Sequence, residues 1–360
     1  MGDIRALYRA VSRLGILASI AYLIAGMAFL PVERVLDHAR ILLYGALLLF
    51  PHSVALAYVA SGFPGRIPAL LGSGAYASLA LLAAPALGLL YSPSAALALF
   101  LVVFIVMVLT SGYVASGRRG SLRLSLALVA LSYLVSSLVI AAILTLKGEI
   151  DLFSEGLALT IAYPLTLIYA VTVHSLPSTF RDSPLYIPAS VLPALTLLAS
   201  LLALNGYVSW SSLAVLASMA LYAVAAKLYR LPTYARSIEE LRGKSPAYGG
   251  LRFFIEGHYA ILAIIAITAI YTLAGSLLWR GPQALLLIHL YAIGFILGHI
   301  VIHAPMMLPV ILGVKHKRRY TRTPHIIVAT AATLWPIAPD LSYTMIIIAL
   351  ASVAYIVRWP

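Results

Sequence analysis

Long apolar runs with almost no charge inside them dominate this chain and limit what it can fold into. Of its 360 residues, 62% are hydrophobic and only 10% are charged, whereas a soluble domain carries roughly 25% charged residues. A helix needs about 20 mainly apolar residues to cross a bilayer, and twelve such segments follow one another. They lie near residues 14–31, 37–61, 68–90, 93–115, 121–146, 153–175, 185–205, 209–229, 254–279, 284–313, 324–339 and 341–358. We therefore predict an all-α polytopic membrane protein with about twelve transmembrane helices, one transmembrane domain over residues 1–360 and no soluble domain.

The two ends of the chain carry the least regular segments. The first apolar run follows Arg5, Arg9 and Arg13, as a secretory signal peptide would. We interpret it as a retained helix, because no clear small-residue cleavage site precedes the next segment. Pro336 and Pro339 interrupt the last two segments. The chain has no cysteine, which excludes disulfides and thiolate metal sites.

The distribution of lysine and arginine predicts the orientation. If the N-terminus is cytoplasmic, twelve spans place 20 of the 24 basic residues on the inner side and leave Arg34, Arg40, Lys147 and Arg280 outside. Cytoplasmic loops carry this excess in membrane proteins. We therefore predict that both termini are cytoplasmic and that the chain is a multi-pass protein of the cell membrane. The formal charge of +13 then belongs to loops and does not indicate nucleic-acid binding.

Histidine is the ionisable residue that recurs inside the predicted spans, where such residues are costly and usually functional. His38 and His52 in the second span are 14 residues apart, as are His289 and His303 in the tenth. Fourteen residues make nearly four α-helical turns, so each pair is expected on one helix face. In the predicted orientation His38 lies level with His289. His52 likewise lies level with His303.

Two pairs of histidines at matched depth predict two bis-histidine haem sites. The outer haem would lie between His38 and His289 and the inner one between His52 and His303, an arrangement suited to electron transfer. Three glycines between the histidines would let a flat macrocycle approach the backbone, or would equally serve close helix packing. These glycines are Gly45, Gly294 and Gly298. For any single histidine, the alternative is a hydrogen-bonded packing residue.

Basic residues near the span ends are candidates to pair with haem propionates. Arg34 and Arg40 would serve the outer haem, and Arg66 or Lys315 the inner one. The alternative for each is a loop charge that follows the orientation rule.

Three further histidines have other candidate roles. His299 lies one turn before His303, so the two share a face. It is an alternative axial ligand, a copper ligand together with His303, or a partner of a propionate. His174 and His258 lie near inner span ends and are interfacial residues or quinone-site candidates.

Three short segments carry a family resemblance. Residues 38–45 resemble the second-helix motif H-A-H-E-M-x-F-G of the NnrS family of haem- and copper-containing membrane proteins, with Arg40 and Ile41 replacing its second histidine and its glutamate. Residues 174–181 and 289–295 are similar to two further stretches of that family. Haem–copper oxidase subunit I shares the twelve-span plan, but its three-histidine copper site has no counterpart in the sixth and seventh spans. This disfavours reduction of oxygen or nitric oxide.

The paired histidines look like those of the cytochrome b of quinol-oxidising complexes, and archaeal subunits of the CbsB and SoxN kind, which replace cytochrome b, are a further resemblance. We therefore predict a di-haem b-type electron-transfer subunit of a respiratory, quinol-oxidising complex rather than a stand-alone enzyme. It would pass electrons between a quinone pool and an outer-face cytochrome or copper protein, alongside other subunits of the complex. The alternatives are an NnrS-like haem or copper protein that handles nitric oxide, a transporter in which histidines relay protons, and a structural anchor without a cofactor.

Overall fold

The structure is a computed structural model that describes residues 4–28, 35–63, 71–146, 150–245, 247–278, 281–312 and 320–356. Throughout these ranges the regular elements are helices, and no strand occurs in them. Eleven of the described helices are long and apolar enough to cross a membrane. The prediction of an all-α polytopic membrane protein is therefore confirmed.

The described chain forms two compact units. Unit 1 comprises Met1–Ser175 and Ser190–Gly206, and unit 2 comprises Leu176–Ala189 and Tyr207–Pro360. The helices of unit 1 are α1 (Ile4–Ala28), α2 (Leu36–Ser61), α3 (Gly72–Leu90), α4 (Pro93–Ser116), α5 (Gly120–Thr145), most of α6 (Leu152–Thr179) and most of α7 (Tyr186–Leu204).

Unit 2 contains the remaining helices. They are α8 (Val208–Ala225), α9 (Leu231–Glu239), α10 (Tyr248–Leu278), α11, α12 (Thr323–Leu334) and α13 (Pro339–Ile356). Helix α11 runs from Gln283–His289 through Leu290–Ile296 to Leu297–Leu312. In the predicted inner loop at 230–253, α9 is a short amphipathic helix that buries Leu231, Tyr234 and Ile238.

The predicted eleventh segment differs from the expectation. Helix α12 has only 12 residues, about 18 Å of helix, against the roughly 30 Å of a hydrocarbon core. The chain leaves the helix at Trp335 and turns before α13 begins at Pro339. Pro336 and Pro339 account for the break, because proline ends or kinks a helix.

Three membrane helices contain π-helical segments within the described residues. These are Leu42–Leu48 in α2, Ile161–Leu165 in α6 and Leu290–Ile296 in α11. Their backbone bonds run from residue i to i+5, a rare geometry that is frequent at functional sites. Two of the three segments separate the paired histidines of the sequence prediction.

Candidate functional site

Unit 2 brings three imidazole rings and a tyrosine together between its helices, with His258, His299 and Tyr222 buried and His303 half-buried. His258 lies on α10, His299 and His303 on α11, and Tyr222 on α8. The ring centroid of His258 is 6.3 Å from that of His299 and 5.9 Å from that of His303. The rings of His299 and His303 are nearly parallel, with centroids 6.3 Å apart, as expected for residues one turn apart. We call these four residues the histidine cluster.

Backbone carbonyls fix the protonation of two of these rings. Nδ1 of His258 lies 2.8 Å from the carbonyl oxygen of Phe254, and Nδ1 of His299 lies 2.8 Å from that of Phe295. A carbonyl only accepts, so each Nδ1 carries the proton and each neutral ring presents a lone pair at Nε2. The hydroxyl of Tyr222 donates to Nε2 of His299 at 2.9 Å.

Two nitrogens of the cluster stand out. Within the described part of the chain, Nε2 of His258 and Nε2 of His303 are buried and have no hydrogen-bond partner. A buried polar atom without a partner costs about 1–3 kcal/mol, and such atoms in native proteins commonly face an ion or a water. Phe254 packs edge-on against both rings, with centroids 4.5 Å from His258 and 5.2 Å from His303. The two buried nitrogens thus belong to rings that share one aromatic neighbour.

The bonding of His258 follows the pattern of metal-binding histidines. Such residues usually give their second ring N–H to a backbone carbonyl or a carboxylate, which fixes the ring and raises its basicity. His258 does this through Phe254. However, no group of three or more His, Cys, Asp or Glu side chains in the described ranges is placed to hold a metal ion. The cluster therefore offers at most a pair of ligands.

The ring nitrogens of two predicted haem ligands are already bonded to protein. His52 lies 2.9 Å from Oγ of Ser78 through Nε2 and 3.0 Å from the hydroxyl of Tyr133 through Nδ1. His289 bonds the carbonyl oxygen of Leu285 through Nδ1 and the hydroxyl of Tyr343 through Nε2. A haem iron needs a free imidazole lone pair, so as bonded these two residues do not fit axial ligation.

The predicted haem-facing glycines pack against protein. A Cβ at Gly45 would collide with the side chain of Tyr22 on α1. A Cβ at Gly294 would lie 3.0 Å from Cγ2 of Ile264, and one at Gly298 would lie 2.9 Å from Cδ1 of Ile261 on α10. The helix-packing alternative accounts for these contacts, and they leave no surface here for a macrocycle.

The π segments also change which way the paired histidines face. One residue of α-helix turns through about 100°, and a π turn holds roughly one residue more than an α turn. The residues beyond it are therefore rotated by roughly 100° relative to a continuous α-helix. Accordingly His38 bonds the carbonyl of Gly26 on α1, whereas His52 contacts α3 and α5. The one-face expectation is not met in α2.

The remaining candidates belong to unit 1 or lie outside the described ranges. His174 is half-buried on α6 and bonds Oγ of Ser121 at 3.0 Å, and Arg40 lies on α2 in unit 1. The other basic residues proposed for propionates lie outside the described residues. They are Arg34, Arg66 and Lys315.

Sequence reasoning missed the tyrosines that complete these contacts. Tyr222 and His299 are 77 residues apart, and Tyr133 and His52 are 81 apart. The spacing of residues along one helix predicts which of them share a face, but not which distant helix packs against that face. No local sequence signal therefore predicts either tyrosine–histidine contact. The sequence makes His258 an interfacial residue or a quinone-site candidate, and the structure places its ring beside those of His299 and His303.

Comparison with known proteins returns no matching family model, no matching curated protein and no matching solved structure.

Proposed function

We propose that the chain is a redox protein of the membrane that transfers electrons through a copper ion held by His258 and His303. The observation that carries the proposal is the pair of buried Nε2 atoms, which have no partner among the described residues and belong to rings 5.9 Å apart. A Lewis acid between them would accept a lone pair from each ring in its Nδ1-protonated tautomer and would offset the cost of burying two unpartnered nitrogens.

The donor set favours copper over the other common metals. Zinc sites take three or four protein ligands, and the described residues offer no group of three. Imidazole binds copper well, and the monovalent ion accepts two ligands. Burying a single positive charge costs less than burying two when no carboxylate compensates it. When bound, copper would supply one-electron chemistry at this point in the membrane.

The chain's own residues set the properties of such a site. The backbone carbonyl of Phe254 orients His258 by accepting a hydrogen bond from its Nδ1–H, and the Phe254 ring packs edge-on against both imidazoles. Tyr222 keeps Nε2 of His299 occupied, so His299 stands beside the pair and is not a ligand in this arrangement. The electron donor and acceptor that we propose are a quinone pool and an outer-face redox protein.

The di-haem hypothesis stays a separate prediction. Each of its two sites takes one histidine from unit 1 and one from unit 2. To ligate iron, His52 and His289 would each have to give up a present hydrogen bond.

Anaerobic titration of the purified chain with Cu(I), against a chromogenic Cu(I) chelator, tests the proposal. We expect one tightly held Cu(I) per chain, weakened at least about tenfold in His258→Phe and in His303→Phe. The matched control is His299→Phe, on the same helix and one turn away, which should stay within about threefold of the original chain. Reversible appearance of the Cu(II) electron paramagnetic resonance signal on oxidation tests electron transfer.

Three results would overturn the proposal. Two low-spin b haems in a pyridine haemochrome assay, with no copper, would restore the di-haem prediction. Neither haem nor Cu(I) binding would favour the transporter class. Equal loss of affinity in all three variants would show that the cluster is needed for folding and not as a ligand pair, a distinction that size-exclusion chromatography of each variant also checks.

A further inference from the structure

Unit 1 contains a buried tyrosine–histidine contact of its own. Oγ of Ser78 donates its only proton to the carbonyl of Gly74 at 2.6 Å. Nε2 of His52 lies 2.9 Å from the same oxygen, so it must carry a hydrogen and donate a hydrogen bond to Ser78. Nδ1 of neutral His52 is left as an acceptor, and the hydroxyl of Tyr133 donates to it at 3.0 Å.

The surroundings of this contact exclude water. His52 is 1% exposed and Tyr133 is fully buried. The ring of Phe104 lies 5.9 Å from that of His52 and 5.1 Å from that of Tyr133, and the ring of Tyr163 lies 5.4 Å from Tyr133. The imidazole is therefore the base within reach of the Tyr133 proton.

Other tyrosines of unit 1 differ in what they donate to. Tyr8 and Tyr22 bond backbone carbonyls, of Leu71 and Leu82, and a carbonyl does not take up a full proton. Tyr44 reaches a carboxylate oxygen of Glu155, but at 3.3 Å and only partly buried. Tyr133 combines a short contact, a true base and full burial.

We propose that Tyr133 and His52 form a redox-active pair, in which Tyr133 gives up one electron while its proton moves to His52. The phenolic O–H bond breaks, the proton binds Nδ1 of His52, and the electron passes to a one-electron oxidant of the oxidised-metal-complex class. The products are a neutral tyrosyl radical and an imidazolium whose Nε2–H still donates to Ser78. Return of one electron reverses each step. The pair does not depend on the copper site and would operate without it.

The experiment uses the full-length chain in detergent with photogenerated tris(bipyridine)ruthenium(III) as oxidant. Tyr222→Phe serves as background, because Tyr222 makes the comparable contact with His299 in unit 2. Tyrosyl radicals are followed by transient absorption and by freeze-quench electron paramagnetic resonance. Radicals on exposed tyrosines decay fast, so we expect a buried, long-lived component that disappears in Tyr133→Phe.

His52→Gln separates a proton acceptor from a hydrogen-bond partner. The amide oxygen still accepts the hydroxyl of Tyr133 but is not a base. We expect the long-lived radical to form at least about tenfold more slowly, with an altered solvent isotope effect. Tyr58→Phe, which removes a hydroxyl bonded to Ser125, is the matched control and should leave the signal unchanged.

A third measurement retains a phenol at position 133, so its result does not depend on whether Tyr133→Phe folds correctly. Difluorotyrosine placed at position 133 should change the hyperfine splitting of the long-lived radical and so locate it there. An unchanged splitting, an undiminished radical in Tyr133→Phe, or equal rates in His52→Gln and the original chain would each overturn the proposal.

Discussion

At the scale of single residues, Asp182 in unit 2 connects two loops and a helix. Its carboxylate accepts from Nζ of Lys227 at 2.7 Å, from Arg230 at 2.6 Å and from the hydroxyl of Tyr234 at 2.9 Å. The backbone of Lys227, and that of Arg181 beside the aspartate, adopt the left-handed conformation, which costs free energy in residues other than glycine. The ion pairs therefore hold turns that are unfavourable by themselves.

Neutralising this carboxylate should destabilise unit 2. Asp182→Asn keeps the shape but leaves Lys227, whose side chain is 13% exposed, without its counter-charge. We expect the free energy of unfolding to fall by about 1–3 kcal/mol, seen as a lower thermal midpoint in detergent. Glu239→Gln is the control, because its ion pair with Arg242 is exposed and 3.9 Å long, and it should change stability by less than about 0.5 kcal/mol. Equal effects would contradict the assignment.

The same residue predicts a dependence on pH. Burial raises the pKa of Asp182, but hydrogen bonds from Lys227, the Ser183 backbone and Tyr234 outweigh it and lower that pKa to about 2. A carboxyl with a lowered pKa stabilises the fold above its ordinary pKa and loses that contribution as it becomes protonated. We expect the thermal midpoint to drop as pH falls from about 4 to about 2. The drop should be smaller in Asp182→Asn, and an identical drop would assign it to other groups.

At the scale of helices, a glycine contact can be tested in α2. Gly45 lies in the π segment against Tyr22, so Gly45→Ala should push α1 and α2 apart and cost about 1–3 kcal/mol. Gly112 on α4 has no atom within 4 Å of an added Cβ, so Gly112→Ala should be neutral or stabilise by up to about 1 kcal/mol. Thermal unfolding in detergent measures both. A neutral Gly45→Ala would contradict the packing role.

Helix positions were predictable from sequence, whereas helix geometry was not. Lipid requires about 20 apolar residues per crossing, which is why the predicted second and fifth spans, 37–61 and 121–146, agree closely with α2 and α5. The amino-acid composition does not reveal the π segment at Leu42–Leu48. Lipid-facing and buried positions are both apolar, so a change in which residues face lipid leaves no polar pattern in the sequence. The 14-residue spacing of His38 and His52 therefore predicted a shared face for a regular α-helix, whereas α2 contains a π segment between them.

At the scale of the whole molecule, the candidate site depends on contacts between distant segments. The histidine cluster joins α8, α10 and α11 within unit 2. The predicted haem sites instead take one histidine from each unit. Sequence spacing predicted that His299 and His303 share a helix face, as their nearly parallel rings confirm, but the packing of α8 and α10 supplied Tyr222 and His258.

The last prediction concerns membrane topology, namely whether the short helix α12 crosses the bilayer together with α13. The basic residues Arg322, before α12, and Arg358, after α13, are both predicted to lie inside, so α12 and α13 must both cross or both fail to cross. Helix α13 has 18 residues and is long and apolar enough to cross a membrane, which favours two crossings, with the turn at Ile337 outside.

The chain has no cysteine, so single introduced cysteines can report on which side of the membrane this turn lies. We expect a membrane-impermeant maleimide to label Ile337→Cys in right-side-out vesicles and Ser245→Cys, in the predicted inner loop, in inverted vesicles. Labelling of both from the same side would show that α12 does not cross and would reverse the predicted position of the turn.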